Sequence, residues 1–133
     1  MTTSLSDFPA GHTFEPIVLN VDPERARAYR EAVGDARQLY DEDGIVPPLA
    51  LAAFALGALL NEVGLPPGTL HVNEALEFRR PVSTGAAVEC RARVAQRSVR
   101  AGMIVSAVES ELLVGGEVAV TARATVFCPV PAL

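Results

Sequence analysis

The chain has no lysine and no tryptophan, only two histidines and two cysteines, and aromatic residues make up 5% of its 133 residues. Each scarcity removes a class of function. The eleven basic residues are all arginine, they form no basic run, and the formal net charge is −5. Nucleic acid requires a basic patch or an aromatic platform, so that class of partner is excluded. Cys90 and Cys128 stand alone on predicted strands, without a CxxC pair or a Cys/His cluster. They read as buried free thiols in a reducing cytoplasm. The first eleven residues hold an acidic side chain and no apolar run, which does not fit a signal peptide. The apolar stretch 45–60 is shorter than the roughly 20 residues of a membrane span and opens on Pro47-Pro48, so it reads as a core helix.

Apolar character is what the chain has in abundance. Half of the residues are hydrophobic and the mean hydropathy is +0.28, high for one small soluble domain, so part of the surface is expected to be hidden in an oligomer. Residues 1–12 read as a loose leader and 13–133 as one domain. Residues 13–20 are β-like, with Pro16 confining them to an edge or to a short strand that begins after it. Asp22 is placed as an N-cap, Pro23 at the first helical position, Glu24 in the first turn and Gly34 as a left-handed stop. Ala26, Tyr29 and Val33 give that helix a modest apolar stripe.

A second helix is expected over 47–63, ended by Gly64 and Pro66-Pro67-Gly68. It is apolar on every side, so something must wrap it completely. The period then changes to that of strands: 70–78, 88–94, 103–113 and 118–127, with hairpin signals at 98–102 and at Gly115-Gly116. One strand, two helices and four long strands give an α+β chain in which an antiparallel sheet of about five strands curls around a long apolar central helix.

That order resembles the hot-dog fold, in which paired protomers join their sheets edge to edge. The run from Gly34 resembles the signature of the MaoC-like (R)-specific enoyl-CoA hydratases and 3-hydroxyacyl dehydratases, Gly-Asp-x-Asn-Pro-x-His-x-Asp followed by an Ile-Ala-His-Gly turn. Gly34-Asp35 matches; Arg37 stands for Asn, Gln38 for Pro, Tyr40 for the catalytic His, and Pro47-Pro48 for the His-Gly turn. Downstream, Gly68-Thr69-Leu70-His71, then Glu77-Phe78-Arg79-Arg80-Pro81-Val82 and Gly85, are similar to the strand that follows the family's central helix. The resemblance covers nearly the whole chain and implies an acyl thioester of coenzyme A or of a carrier protein, with no cofactor and no metal.

The resemblance makes Asp35 and Tyr40 the candidate catalytic positions. It makes Leu49 the candidate donor to the thioester oxygen, because Pro48 has no N–H. His71 is a further site candidate, and Arg79 and Arg80 are candidates for the phosphates of coenzyme A or phosphopantetheine. Each has a plainer reading: Asp35 as a loop residue bonding backbone amides, Tyr40 as an anchored aromatic, His71 as structural, the arginines as surface. Asp41, Glu42 and Asp43 read as a solvated loop, and His12 as a solvated leader residue. Tyrosine, with a reference pKa of about 10, is a poor base near neutral pH. The departures resemble the His-lacking half or subunit of the double and heteromeric dehydratases.

Three readings follow. The chain is a thioester-binding subunit that depends on a His-bearing partner, or a self-sufficient homodimer using Asp35 with Tyr40 or His71, or a non-catalytic lipid-binding or structural protein. A hot-dog thioesterase, which places a carboxylate at the central helix, fits less well, since the nearest is Glu62 at the far end.

Overall fold

The computed structural model describes residues 4–34 and 44–130. Five strands, β1 (Ile17–Asn20), β2 (Leu70–Phe78), β3 (Ala87–Arg100), β4 (Met103–Val114) and β5 (Glu117–Pro129), form one antiparallel sheet in the order β1-β3-β4-β5-β2. Among the described residues, two helices, α1 (Pro23–Val33) and α2 (Pro48–Glu62), lie between β1 and β2 in the chain. β1 and β2 are therefore the two edge strands among the described residues.

The long hairpins are set by their turns. Ala101-Gly102 (φ +50° and +77°) and Gly115-Gly116 (φ +60° and +81°) each join strands through two left-handed residues, the geometry that matches strand twist. β3 runs on to Arg100 rather than ending near residue 94 as the alternation suggested. A register shift between Val94 and Gln96 absorbs one residue and lets pairing continue to Arg100 opposite Met103.

α1 begins and ends as its sequence indicates. The Asp22 carboxylate accepts from the Arg25 N–H at 2.7 Å, and Gly34 (φ +73°) closes the last turn. Tyr29 meets Phe54 of α2 edge to face at 6.0 Å, and the Arg25 guanidinium lies 4.1 Å over the same ring. α2 spans two core clusters. Ala50, Leu51 and Ala55 pack with Val88, Leu112 and Val120, whereas Leu59 joins Val63, Ile104, Val108 and Val126.

Two expectations need correction. The single chain does not wrap α2 completely: Ala50, Leu51, Ala52, Ala55 and Leu59 are buried, but Leu49 is 59% exposed, and Ala53 and Gly57 are exposed. Leu49, Ala53 and Gly57 recur at four-residue intervals, so they form a stripe on the side turned away from the sheet. One five-stranded sheet faces one side of a helix about 10 Å across and leaves the other uncovered.

The segment 4–12, expected to be a loose leader, is packed. Ser4 caps a 3-10 turn at Leu5–Asp7, the Leu5 N–H donates to the Gly64 carbonyl at 3.0 Å, and Leu5 is 1% exposed in the cluster of Leu59 and Val63. His12, expected in solvent, is stacked on Phe8 at 4.3 Å and meets Phe14 edge-on at 4.9 Å. Leu5, Phe8 and Phe14 carry this segment, and their spacing fits neither the helical nor the strand period that sequence reading relies on.

Candidate functional site at the helix start and along the β2 edge

The start of α2 is built from two distant pieces of sequence. The Val46 N–H donates to the Val82 carbonyl at 2.8 Å, Ile45 bridges Ser83, and both the N–H and the hydroxyl of Thr84 donate to the Gly44 carbonyl. The Pro81-Val82 segment that follows β2 thus fixes the chain entering the helix. Pro47 occupies the N-cap without a side-chain cap, and Pro48 is the first helical residue. Neither carries an N–H, so the Leu49 and Ala50 amides are the first donors on the positive end of the helix dipole. The Leu49 side chain points out, while Ala50 is fully buried.

Asp35 and Tyr40, like Asp41, Glu42 and Asp43, lie outside the described residues. The other candidates do not form one group in the single chain. His71 is near the beginning of β2 and Arg79 and Arg80 follow its end, about 26 Å apart at roughly 3.3 Å per residue. Arg79 donates to Glu77 at 3.0 Å and lines a polar cleft of about 650 Å³ with Arg91, Arg93, Glu109 and Glu111. Arg80 is hydrogen-bonded to Glu117. Both arginines are more than half exposed and each already has a carboxylate.

His71 has a neighbour that sequence reading missed. Two strand residues three apart ordinarily point to opposite faces, but the register of β2 shifts between His71 and Asn73. His71 is therefore paired with Val126 and Glu74 with Ala124, both β5 residues buried on the helix side. The Val72 bulge turns both side chains to that concave face, where His71 Nε2 lies 3.7 Å from Glu74 Oε2. The alternation Leu70, Val72, Leu76, Phe78 points to the opposite phase for the first half of the strand, so the pair was hidden. Leu70 and Val72 are in fact 58% and 53% exposed.

Glu74 also lines a narrow cavity of about 30 Å³ between α2 and the sheet, space for about one water. Its walls combine Ala52 and Ala55 of the helix and Ala92, Ala122 and Ala124 of the sheet with larger side chains such as Phe14, Leu56, Leu59 and Leu112. Cys90 faces the same space, and burial, with the neighbouring Glu89 carboxylate second, pushes its thiol up to about 11. Among the described residues no three His, Cys, Asp or Glu side chains are grouped to hold a metal ion, and no helix is long and apolar enough to cross a membrane.

A curved antiparallel sheet on one apolar helix, with that helix's start clamped by the strand segment after β2, defines a hot-dog protein. A family model described as FAS1-like, dehydratase domain region, matches residues 9–122. Comparison with curated protein sequences finds no match. Among solved structures, a MaoC-like dehydratase from Rhodospirillum rubrum superposes with a TM-score of 0.81 at 18% identity, covering 98% of this chain and 99% of that one. An (R)-hydratase from A. caviae involved in PHA biosynthesis gives 0.76 at 20% identity, over 92% and 98%. The HadBC (3R-hydroxyacyl-ACP dehydratase) complex from Mycobacterium tuberculosis gives 0.69 at 19% identity, over 92% and 99%. At such identities the likeness is one of fold. The family match spans most of the sequence: the chain belongs to the family described as FAS1-like, dehydratase domain region.

Proposed function

We propose that the chain is a hydratase/dehydratase-type subunit that binds enoyl or 3-hydroxyacyl thioesters, and that a second hot-dog chain bearing the Asp/His pair supplies the acid–base chemistry. The observation that carries this reading is a family match over residues 9–122 in a chain with tyrosine at position 40, where the related motif has histidine. Neither histidine is placed to replace it at the helix start. His12 is packed with Phe8 and Phe14, and His71 is paired with Val126, which clusters with Leu59 of the far half of α2 and with Val63 just after it. What this chain retains is binding geometry: the Leu49 amide at the dipole end for a thioester oxygen, and an apolar space beneath the helix. The purified chain alone is expected to leave crotonyl-CoA unchanged and to support hydration once a His-bearing partner is added. Enzyme-like turnover by the chain alone would refute the reading.

The partner surface we assign is the β2 edge. Leu70, Val72 and Phe78 are exposed there, on a strand whose outer backbone groups face no neighbour in the described sheet order. A second hot-dog chain paired along β2 would continue the sheet and cover the Leu49–Ala53–Gly57 stripe. This also accounts for the chain's excess apolar surface. Replacing Leu70 and Val72 by lysine is expected to convert a dimer into a monomer in sedimentation velocity, with the far-ultraviolet spectrum unchanged. An unaltered sedimentation coefficient would exclude this edge. We take 13–133 as the hot-dog unit, with the 4–12 segment packed against it.

One observation favours a second reading, a self-sufficient homodimer using Asp35 with His71: the bulge at Val72 turns His71 inward beside Glu74. On that reading the chain alone turns over, and Asp35→Asn or His71→Ala abolishes turnover.

A further inference from the structure

Beyond Val94 the border of the sheet on the β1 side is β3 itself. β1 pairs with residues 87–90 of β3, and the stretch before β1 follows β3 only as far as Val94. There the Phe14 N–H donates to the Ala92 carbonyl at 2.9 Å, the Val94 N–H donates to the His12 carbonyl at 2.8 Å, and the Gly11 N–H donates to the Val94 carbonyl at 2.7 Å. At Gly11 (φ +91°) this stretch leaves the edge, and the 3-10 turn that precedes it packs Leu5 with Ile104 and Val108 on the helix side. Residues 95–100 keep no backbone neighbour on that side among the described residues.

The hairpin decides which backbone groups are left over. Ala101-Gly102 is a two-residue turn, so Arg100 and Met103 are its hydrogen-bonded closing pair. Bonded and non-bonded pairs alternate along an antiparallel ladder, which makes Val99–Ile104 and Arg97–Ser106 non-bonded pairs. The N–H and C=O of Val99 and of Arg97 therefore point away from β4. None of the four has a partner among the described residues. Two such donor–acceptor sets, about 6.6 Å apart, are the template for one more strand.

The side chains along this edge carry one sign. Arg97 and Arg100 are the charged residues of 95–100, and the neighbouring lengths 103–108 of β4 and 124–129 of β5 hold none. Arg97 donates to the Ser6 carbonyl at 3.1 Å, and neither arginine has an ion pair among the described residues. Asp7, in the adjoining turn, accepts from the Ser4 N–H at 2.9 Å. Val99, between the arginines, is 59% exposed. A second copy is a poor occupant, because pairing 95–100 with itself brings four arginines to one seam. The charges that guard the edge against self-association select a strand of the opposite sign.

We propose that residues 95–100 are a docking edge for an acidic, extended peptide segment of a partner protein, which joins β3 as an added strand. An antiparallel guest meets Arg100, Val99, Ser98 and Arg97 in that order, so a core of Glu-Val-Ser-Glu matches the edge: carboxylates opposite both arginines and an apolar side chain over Val99. The valine and the second glutamate of the guest exchange backbone bonds with Val99 and Arg97. This edge lies across the sheet from β2, and its occupancy does not depend on thioester binding.

The test is fluorescence anisotropy of the full chain with a labelled eight-residue peptide, Glu-Val-Ser-Glu flanked by threonines. It is expected to bind at least about tenfold more tightly than the same peptide with lysine for both glutamates, and to weaken several-fold as salt is raised. Arg100→Glu should cost at least about fivefold. Val99→Pro removes an outward N–H where an edge strand accepts proline, and should abolish binding with the far-ultraviolet spectrum unchanged. Should that variant fail to fold, a peptide N-methylated at its valine and second glutamate, with every side chain kept, takes its place and should not bind. Equal binding of the lysine peptide, full affinity of the N-methylated peptide, or no binding of the acidic peptide would overturn the docking edge. Concentration-dependent self-association that Val99→Pro abolishes would overturn it too, by placing a second copy on the edge.

Discussion

Leu51→Ala is expected to lower the stability of the chain by about 2–5 kcal/mol, seen as an earlier urea midpoint with little change in slope. Leu51 is 2% exposed and packs where the first half of α2 meets Val88, Leu112 and Val120. Truncation there removes buried methyl groups and opens a hole that neighbouring sheet residues cannot close. The contrasting variant is Leu49→Ala, two residues earlier and 59% exposed, which should stay within about 0.5 kcal/mol in the isolated chain. In the assembled state Leu49→Ala should cost more, since the stripe is then covered. A Leu51→Ala variant as stable as the parent would mean that α2 is not seated on the sheet as described.

Cys90 should resist alkylation in the folded chain by about two orders of magnitude relative to the same thiol unfolded. Burial raises it from 9.0 to about 11, with Glu89 the smaller cause, and the thiolate is the reactive form. At pH 8 both values lie above the pH, so a two-unit rise reduces the thiolate fraction about a hundredfold. The sign for stability follows from the same shift. The folded chain holds the Cys90 proton more tightly than the unfolded one, so this group's contribution to stability is fully present below about pH 9 and is lost as pH rises from there through about 11. Peptide mapping after iodoacetamide treatment, with and without urea, measures the protection. Equal labelling of Cys90 in both states would show that β3 does not face α2 at this position.

Much of the framework was readable without coordinates, and the reasons are local. Asp22, Pro23 and Gly34 specify the ends of α1 through caps that act within a few residues. Gly115-Gly116 specifies a hairpin because both positions need positive φ. The apolar run of α2 gave its length to within a residue or two. What stayed hidden depends on long-range placement. The packing of Leu5 and His12 comes from contacts with α2 and with Phe14 that no periodic pattern records.

The uncovered side of α2 could not be read because an all-round apolar helix states that it is buried, not by how many chains. The His71–Glu74 pair depends on a single extra residue at Val72, which inverts the phase of half a strand. Arg79 and Arg80 were legible as a cation pair, yet their ion pairs are with Glu77 of β2 and with Glu117 of the adjacent β5. For the two motif positions that matter most to the chemistry, Asp35 and Tyr40, the reading stays with the sequence, as they lie outside the described residues.

On the proposed function, this chain binds the thioester but lacks the acid–base pair that a hydratase needs. The most direct measurement is loss of the enoyl absorbance of crotonyl-CoA and of a longer enoyl-CoA, with the purified and demonstrably folded chain as sole protein. No turnover above the uncatalysed rate, with thioester binding retained by titration, is the expected result. Sustained hydration that disappears in Asp35→Asn or His71→Ala would contradict it and move the chemistry into this chain.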